Sequence, residues 1–397
     1  MPDIPYYDEW RNIPFVVDIA SGHFKLLSLF TPDDGYTVFW FRLATWIETV
    51  FFAYDPRVPI VMGLCFITGS ALILANYFRS FPGWFSAVLF AASCAMIFGL
   101  SNWENLLAAW LINSAAVSFF MLLSLTTIAR PGLYWVGLVS AFFCSVSFAN
   151  GLLIWPCAVL LLWMNGKRRE SIPLIVLGLM FIYVFWTARQ SVRLGEHHFW
   201  PAITRFFASL GIPYKMTSSA ISGSTTAQDA GIALGAGVAS SLVFLIIICK
   251  AALHRDNPKL RVPFVILLFG LGSCGMIAIG RSDLGIIQAI SPRYYTTISL
   301  VYIGLFMIAV ELAFIEVVRI AGVIVAVFTL AGALVAIRSE SSYGPYRELY
   351  FQKGRDQILA YKFTPPTGPI LSMPADVIQK DIQELERLHL GPFRSNR

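Results

Sequence analysis

Residues 320–337 read IAGVIVAVFTLAGALVAI, eighteen residues without a charge between Arg319 and Arg338. As a helix rising 1.5 Å per residue, this stretch is about 27 Å long, close to the roughly 30 Å of a bilayer's hydrocarbon core. Apolar segments of the same kind recur at 57–77, 83–100, 105–128, 132–149, 151–164, 172–188, 232–250, 262–280 and 294–317. The chain therefore reads as all-α, a polytopic transmembrane helix bundle of about ten spans. Segment 151–164 is short for a crossing and follows Ala149-Asn150-Gly151. That tripeptide predicts a break, with the flanking helices forming a hairpin or a re-entrant element.

Composition points the same way. Of 397 residues, 57% are hydrophobic, 15% aromatic and only 13% charged, whereas soluble domains run near a quarter charged. Mean hydropathy is +0.68. The net charge of +6 does not indicate a nucleic-acid partner, because the basic residues sit in short loops and in the tail, as membrane topology uses them. Six cysteines lie in apolar stretches with no CxxC pair. They are expected to be buried free thiols, and no zinc site is indicated.

Lys and Arg in the loops orient the bundle. Arg79, Arg130, Lys167-Arg168-Arg169, the set Lys250, Arg255, Lys259 and Arg261, and Arg319 fall on one side, expected to be cytoplasmic. The alternate loops are poor in them. Residues 1–56, the loops near 189–231 and 281–293, and the tail from 338 then lie outside. The expected organisation is a first outer loop with a surface helix (1–56), a transmembrane bundle (57–337) and an outer C-terminal tail with a short helix (338–397). Residues 37–54 are apolar but carry Arg42 and Glu48. A crossing there would break the loop alternation, so an amphipathic helix on the outer surface is expected. No apolar segment stands ahead of residues 1–56 to translocate them, so a first transmembrane helix upstream of Met1 is expected. In the tail, 376–389 has helical periodicity, with Asp376 as its N-cap.

Several polar groups gather on the outer side. Asp8-Glu9, beside Tyr6, Tyr7 and Trp10, is a carboxylate pair suited to general-base work at a desolvated interface, or a solvated charge pair. Pro32-Asp33-Asp34-Gly35 reads as a turn that caps the surface helix, though adjacent carboxylates also suit Mg²⁺ or Mn²⁺. Glu104, in Asn102-Trp103-Glu104-Asn105, has no basic neighbour in its own loop. Arg281 and Arg293 lie at the outer ends of adjacent helices, against the usual charge bias. Paired guanidinium N–H groups suit a phosphate, while snorkelling or an ion pair with Asp283 is the plainer reading. His197-His198, with Arg189, Arg193, Glu196 and Trp200, lacks a third metal ligand and reads as a solvated loop. There is no Walker A, HExxH or Gly-x-Ser-x-Gly motif, and no Asp-x-Asp in a cytoplasmic loop. P-loop nucleotide hydrolysis and the soluble type of nucleotide-sugar chemistry are thereby disfavoured.

Three motifs, Trp103-Glu104-Asn105-Leu106, Phe148-Ala149-Asn150-Gly151-Leu152 and Ser291-Pro292-Arg293-Tyr294, together with the order of the outer loops, resemble the GT-C superfamily. These are polytopic membrane glycosyltransferases using polyprenyl-phosphate sugars, and the likeness is to their bacterial members. The resemblance implies Asp8 as general base with Glu9 as support or alternative. It implies that Arg281, Arg293 and Tyr294 bind the donor phosphate, and that Asp33, Asp34, Glu104, Asn105 and Asn150 lie at the acceptor side or in support. It further implies an inner-membrane enzyme whose site faces the periplasm or exterior. Its partners would be a lipid-linked sugar, membrane lipids, and a glycan, lipid or protein acceptor. No cofactor is required in the simplest version, and a divalent metal is compatible. A non-enzymatic transporter or flippase for a lipid-linked glycan, or a polysaccharide polymerase, would use the same outer arginines.

Overall fold

The computed structural model describes residues 4–5, 7–32, 37–189, 199–214, 227–281, 285–360 and 374–396. Among them the chain is all-helical, without a strand. Helices α1 (Ile13–Ala20) and α2 (Phe39–Phe52) precede α3 (Arg57–Phe78), α4 (Trp84–Phe98), the short α5 (Trp103–Leu107) and α6 (Ile112–Thr127). Then follow α7 (Tyr134–Ser145), α8 (Ile154–Met164), α9 (Ile172–Arg189), α10 (Phe199–Leu210) and α11 (Ala227–Leu253). The remainder is α12 (Arg261–Gly280), α13 (Gly285–Ala289), α14 (Tyr295–Glu311), α15 (Glu316–Leu359) and α16 (Ala375–Arg387).

Among the described residues, seven helical stretches are long and apolar enough to cross a membrane: Arg57–Phe78, Ala109–Thr127, Arg169–Thr187, Asp229–Leu253, Pro258–Gly280, Pro292–Glu311 and Glu316–Leu359. Trp84–Phe98, Tyr134–Ser145 and Ala149–Met164 are apolar but shorter. The outer faces of the long helices carry exposed Leu179, Tyr183 and Trp186 on α9, and Leu242 and Leu245 on α11. An apolar exterior of this extent needs lipid around it. This is the architecture of a polytopic α-helical membrane protein.

The bundle is built around α14, in which every residue from Tyr295 to Val310 is buried. Helix α12 lies against it at backbone contact. A Cβ on Gly304 would come within 2.7 Å of the Leu267 nitrogen, and one on Gly270 within 2.7 Å of the Val301 nitrogen. Small residues that bring backbones together are how helices associate where lipid removes the hydrophobic drive between them.

The expected break near 149–151 is present. Helices α7 and α8 are joined through a 3₁₀ turn at Ala149–Leu153. A Cβ on Gly151 would meet the Cys144 carbonyl oxygen at 1.9 Å, so the apex closes only on glycine. Both open ends of this pair lie on one face, where Tyr134 Oη donates to the Glu170 carbonyl (2.8 Å). Helix α2 covers the apex, with the Phe39 N–H donating to the Val146 carbonyl (3.2 Å).

Some boundaries differ from the sequence expectation. The segment 105–128 is not one helix, because α5 stops at Leu107 and α6 restarts after a 3₁₀ turn at Ala109–Leu111. The segment 294–317 reverses at 312–315, an apolar turn without Gly or Pro to announce it. Helix α15 does not end at 337. It runs on to Leu359 through Pro345, with Glu340 and Arg347 paired across the proline. Helix α16 starts at Ala375 after Pro374, so Asp376 sits within the first turn rather than at the cap. A carboxylate there still favours the positive helix end. The cysteines are all free, but Cys65 and Cys249 are exposed on the outward faces of α3 and α11 instead of being buried.

At one end of the bundle the two termini share a small apolar core. Ile4, Trp10, Ile13 and Val16 pack with Tyr54, Leu111, Ile358, Ile378, Ile382, Leu385 and Phe393. The Gly391 N–H donates to the Ala53 carbonyl (2.9 Å), tying the tail to the turn after α2. The opposite end gathers Arg130, Asn165, Lys259 and Arg261 around one pocket. Trp10 and Leu111 thus lie in one cluster, and Arg130, Asn165, Lys259 and Arg261 in another.

Candidate functional site

The capped end brings several sequence candidates together. Glu9 is buried in the 3₁₀ turn Tyr7–Asn12. Its Oε1 accepts from the backbone N–H groups of Ala109 (2.8 Å) and Trp110 (3.3 Å). These N–H groups open the turn that leads into α6, where a helix start leaves donors unsatisfied and favours a negative charge. Glu9 is therefore why the apolar stretch 105–128 breaks where it does.

Trp110 links that carboxylate to Arg293, whose guanidinium carbon lies 5.7 Å from the ring centroid. Such a cation over an indole face is a stabilising contact. Arg293 Nε also donates to Ser291 Oγ (3.1 Å) and lies 3.6 Å from Glu104 Oε2. Asn105 fixes the turn that carries the arginine, its Nδ2 donating to the carbonyls of Pro292 (3.0 Å) and Arg293 (3.2 Å) and to Asn102 Oδ1 (2.6 Å). Thr296 Oγ1 donates to the same Asn102 oxygen (2.9 Å). Two loops nearly two hundred residues apart are thus held by one amide network, and Glu104 meets its basic partner across it rather than within its own loop. Tyr294 is buried, with no hydrogen-bond partner for its hydroxyl among the described residues.

Other candidates fall elsewhere. Asn150 sits in the α7–α8 apex and donates to Ser273 Oγ of α12 (3.3 Å). Arg281 is exposed at the end of α12, and no contact among the described residues joins it to Arg293. Asp8 belongs to the same turn as Glu9, but its side chain lies outside the described residues, as do Asp33, Asp34, Asp283, Glu196, His197 and His198. Among the described residues no cluster of three or more His, Cys, Asp or Glu side chains could hold a metal ion.

Sequence reading missed a second layer of the cap. Trp110 gave no signal beyond its apolar surroundings. Glu48, noted only as a charge in an apolar helix, is buried on the inner face of α2 next to Thr45, which accepts from Asn12 Nδ2 (3.0 Å). Burial pushes the Glu48 carboxyl well above the usual carboxylate range, and the nearby charges of Glu9 and Asp55 push it further. Tyr54 is raised by burial and then by Glu48, Glu9 and Asp381. Asp381 on α16 is pushed up to about 6 by burial, with Lys380 opposing. The cap therefore holds a group of acids that resist carrying charge together.

No protein-family model, curated protein or solved structure matches this chain.

Proposed function

We propose that the protein is a membrane glycosyltransferase of about ten spans, GT-C-like, moving a sugar from a polyprenyl-phosphate donor to a periplasmic glycan, lipid or protein acceptor. The observation that carries this reading is the convergence of Glu9, Trp110, Glu104 and Arg293 at the end of the bundle remote from the basic loops. Arg293 stands in the turn just ahead of α14, where in this reading a lipid-linked phosphate presents its headgroup. Its guanidinium then receives the donor phosphate, while Tyr294, buried beside it, and Arg281, exposed at the end of α12, remain candidates for the same role. Charge that develops on the departing phosphate is best stabilised by donors already in place.

The reaction balances without a redox partner. An acceptor hydroxyl oxygen bonds to the anomeric carbon as the bond from that carbon to the phosphate oxygen breaks. Polyprenyl phosphate leaves as the anion, and the hydroxyl proton passes to a carboxylate. Glu9 is committed to two N–H groups, which favours Asp8 as the base and Glu9 as its support. Glu104 and Asn105 hold the arginine turn, and Asp33, Asp34 and Asn150 remain candidates on the acceptor side. A divalent metal at Asp33-Asp34 is compatible but not needed. The membrane assigned to it is a bacterial inner membrane, with the site facing outward.

The test is transfer from a labelled polyprenyl-phosphate sugar by the purified protein, comparing wild type with Asp8→Asn, Glu9→Gln and Arg293→Ala. Loss of turnover in Asp8→Asn and Arg293→Ala is expected. Equal turnover in all three would remove the assignment.

A further inference from the structure

The end of the bundle opposite the cap contains an open pocket of about 290 Å³, lined by residues from five separate parts of the chain. Tyr77 ends α3, Arg130 follows α6, Asn165 follows α8, Lys259 and Arg261 open α12, and Glu311 ends α14. Three cations against one carboxylate leave the lining with a net charge of +2. The carboxylate is already engaged: Tyr77 Oη donates to Glu311 Oε1 (2.7 Å). Arg261 is braced by Asn165 Oδ1, which accepts from its Nη1 (3.0 Å). Arg130 and Lys259 are exposed at the rim.

The geometry adds a second source of positive potential. Pro258, Lys259, Arg261 and Val262 all line the pocket, so the start of the twenty-residue helix α12 faces it. Its aligned peptide dipoles place partial positive charge there. The pocket lies at the small end of ligand sites, which run from roughly 300 Å³ upward. Basic pockets between helices on the cytoplasmic side are where phosphorylated headgroups are held.

We propose that this pocket binds a phosphate ester or phosphate anion on Arg130, Lys259 and Arg261. The anion comes either from the headgroup of a membrane phospholipid or from a soluble phosphate. The site is separate from the proposed transfer site and does not rest on that reading. Glu311, held by Tyr77, sets the far wall and limits how many negative charges the pocket accepts.

The experiment uses the full chain, purified in detergent and delipidated, with three probes: short-chain phosphatidylglycerol, the matching phosphate-free diacylglycerol, and inorganic phosphate. Binding is read by native mass spectrometry for the lipids and by calorimetry for phosphate. Phosphatidylglycerol should bind and diacylglycerol should not. Arg130→Gln with Lys259→Gln removes two exposed cations without touching the packed interior, and binding should weaken roughly thirtyfold. Glu311→Gln should change affinity in the opposite direction, tightening binding several-fold. Inorganic phosphate binding with the same dependence on Arg130 and Lys259 assigns the site to a soluble anion. Binding confined to the lipid assigns it to a headgroup. The proposal is overturned if the double variant binds phosphatidylglycerol as wild type does, if diacylglycerol binds equally well, or if neither phosphate probe binds.

Discussion

Replacing Glu9 separates its architectural role from any chemical one. In Glu9→Ala the N–H groups of Ala109 and Trp110 lose an acceptor at 2.8 and 3.3 Å in a buried site. A hydrogen bond to a charged group contributes about 1.5–3 kcal/mol, and the charge at a helix start adds about 0.3–1. The second bond is long, so the pair does not count twice, and the expected destabilisation is about 3 kcal/mol. Glu9→Gln keeps an amide oxygen in the same place and loses only the charge, about 1 kcal/mol. Thermal unfolding in detergent, followed by tryptophan fluorescence, should rank wild type, Glu9→Gln and Glu9→Ala in descending order, with the larger gap before Ala. Wild-type melting of Glu9→Ala would refute the cap. If Glu9→Gln melts near wild type yet loses transfer entirely, Glu9 rather than Asp8 is the base.

Further perturbations probe other parts of the molecule. Arg293→Ala should lower transfer by about 10²–10³, the usual cost of removing a donor that meets developing charge; Arg293→Lys should recover little, because Lys lacks the planar fork that sits over Trp110, and a single-turnover assay distinguishes the two. Gly304→Val should destabilise the α12–α14 contact by about 1–3 kcal/mol, since its Cβ meets backbone at 2.7 Å. Gly275→Ala on α12, with nothing within 4 Å of the new Cβ, should melt at or above wild type. Asp381 has a folded pKa of about 6 against an ordinary 3.8. The folded state therefore holds the proton more tightly, and its contribution to stability falls as pH rises from about 4 to 6 and stays low above. Asp381→Asn should raise the melting temperature at pH 7.5 and leave it unchanged at pH 3.5; a constant difference across that range would exclude the titration.

Much of the helix pattern was legible because lipid imposes a single rule: each crossing must be long, apolar and internally hydrogen-bonded. Residues 320–337 and 262–280 obey it without ambiguity, and the Asn150-Gly151 break was visible because glycine marks a close backbone approach. Boundaries set by tertiary partners were not visible. The end of α5 depends on Glu9, which is about a hundred residues away in the chain, and the turn at 312–315 contains no breaker. The run-on of α15 past 337 depends on Ile358 finding the cap core. For the candidate site, Arg293 and Glu104 stood out as charges in the wrong place, but their pairing did not, since nothing local joins residue 104 to residue 293. Trp110 was hidden among apolar neighbours. Glu48 was read as the polar mark of a surface helix, whereas it faces inward, because the period of a helix shows which residues share a face and not which face is covered.

Helix α15 has forty-four residues, so it is a rod about 66 Å long, twice the depth of a hydrocarbon core. Its first half lies among the spans and its far end, at Ile358, is seated in the same small core as Trp10. Pro345 stands between these two halves, where the missing N–H removes one helical hydrogen bond. One continuous helix thus ties the packing of the spans to the cap that holds Glu9, so a change at either end of α15 is felt at the other.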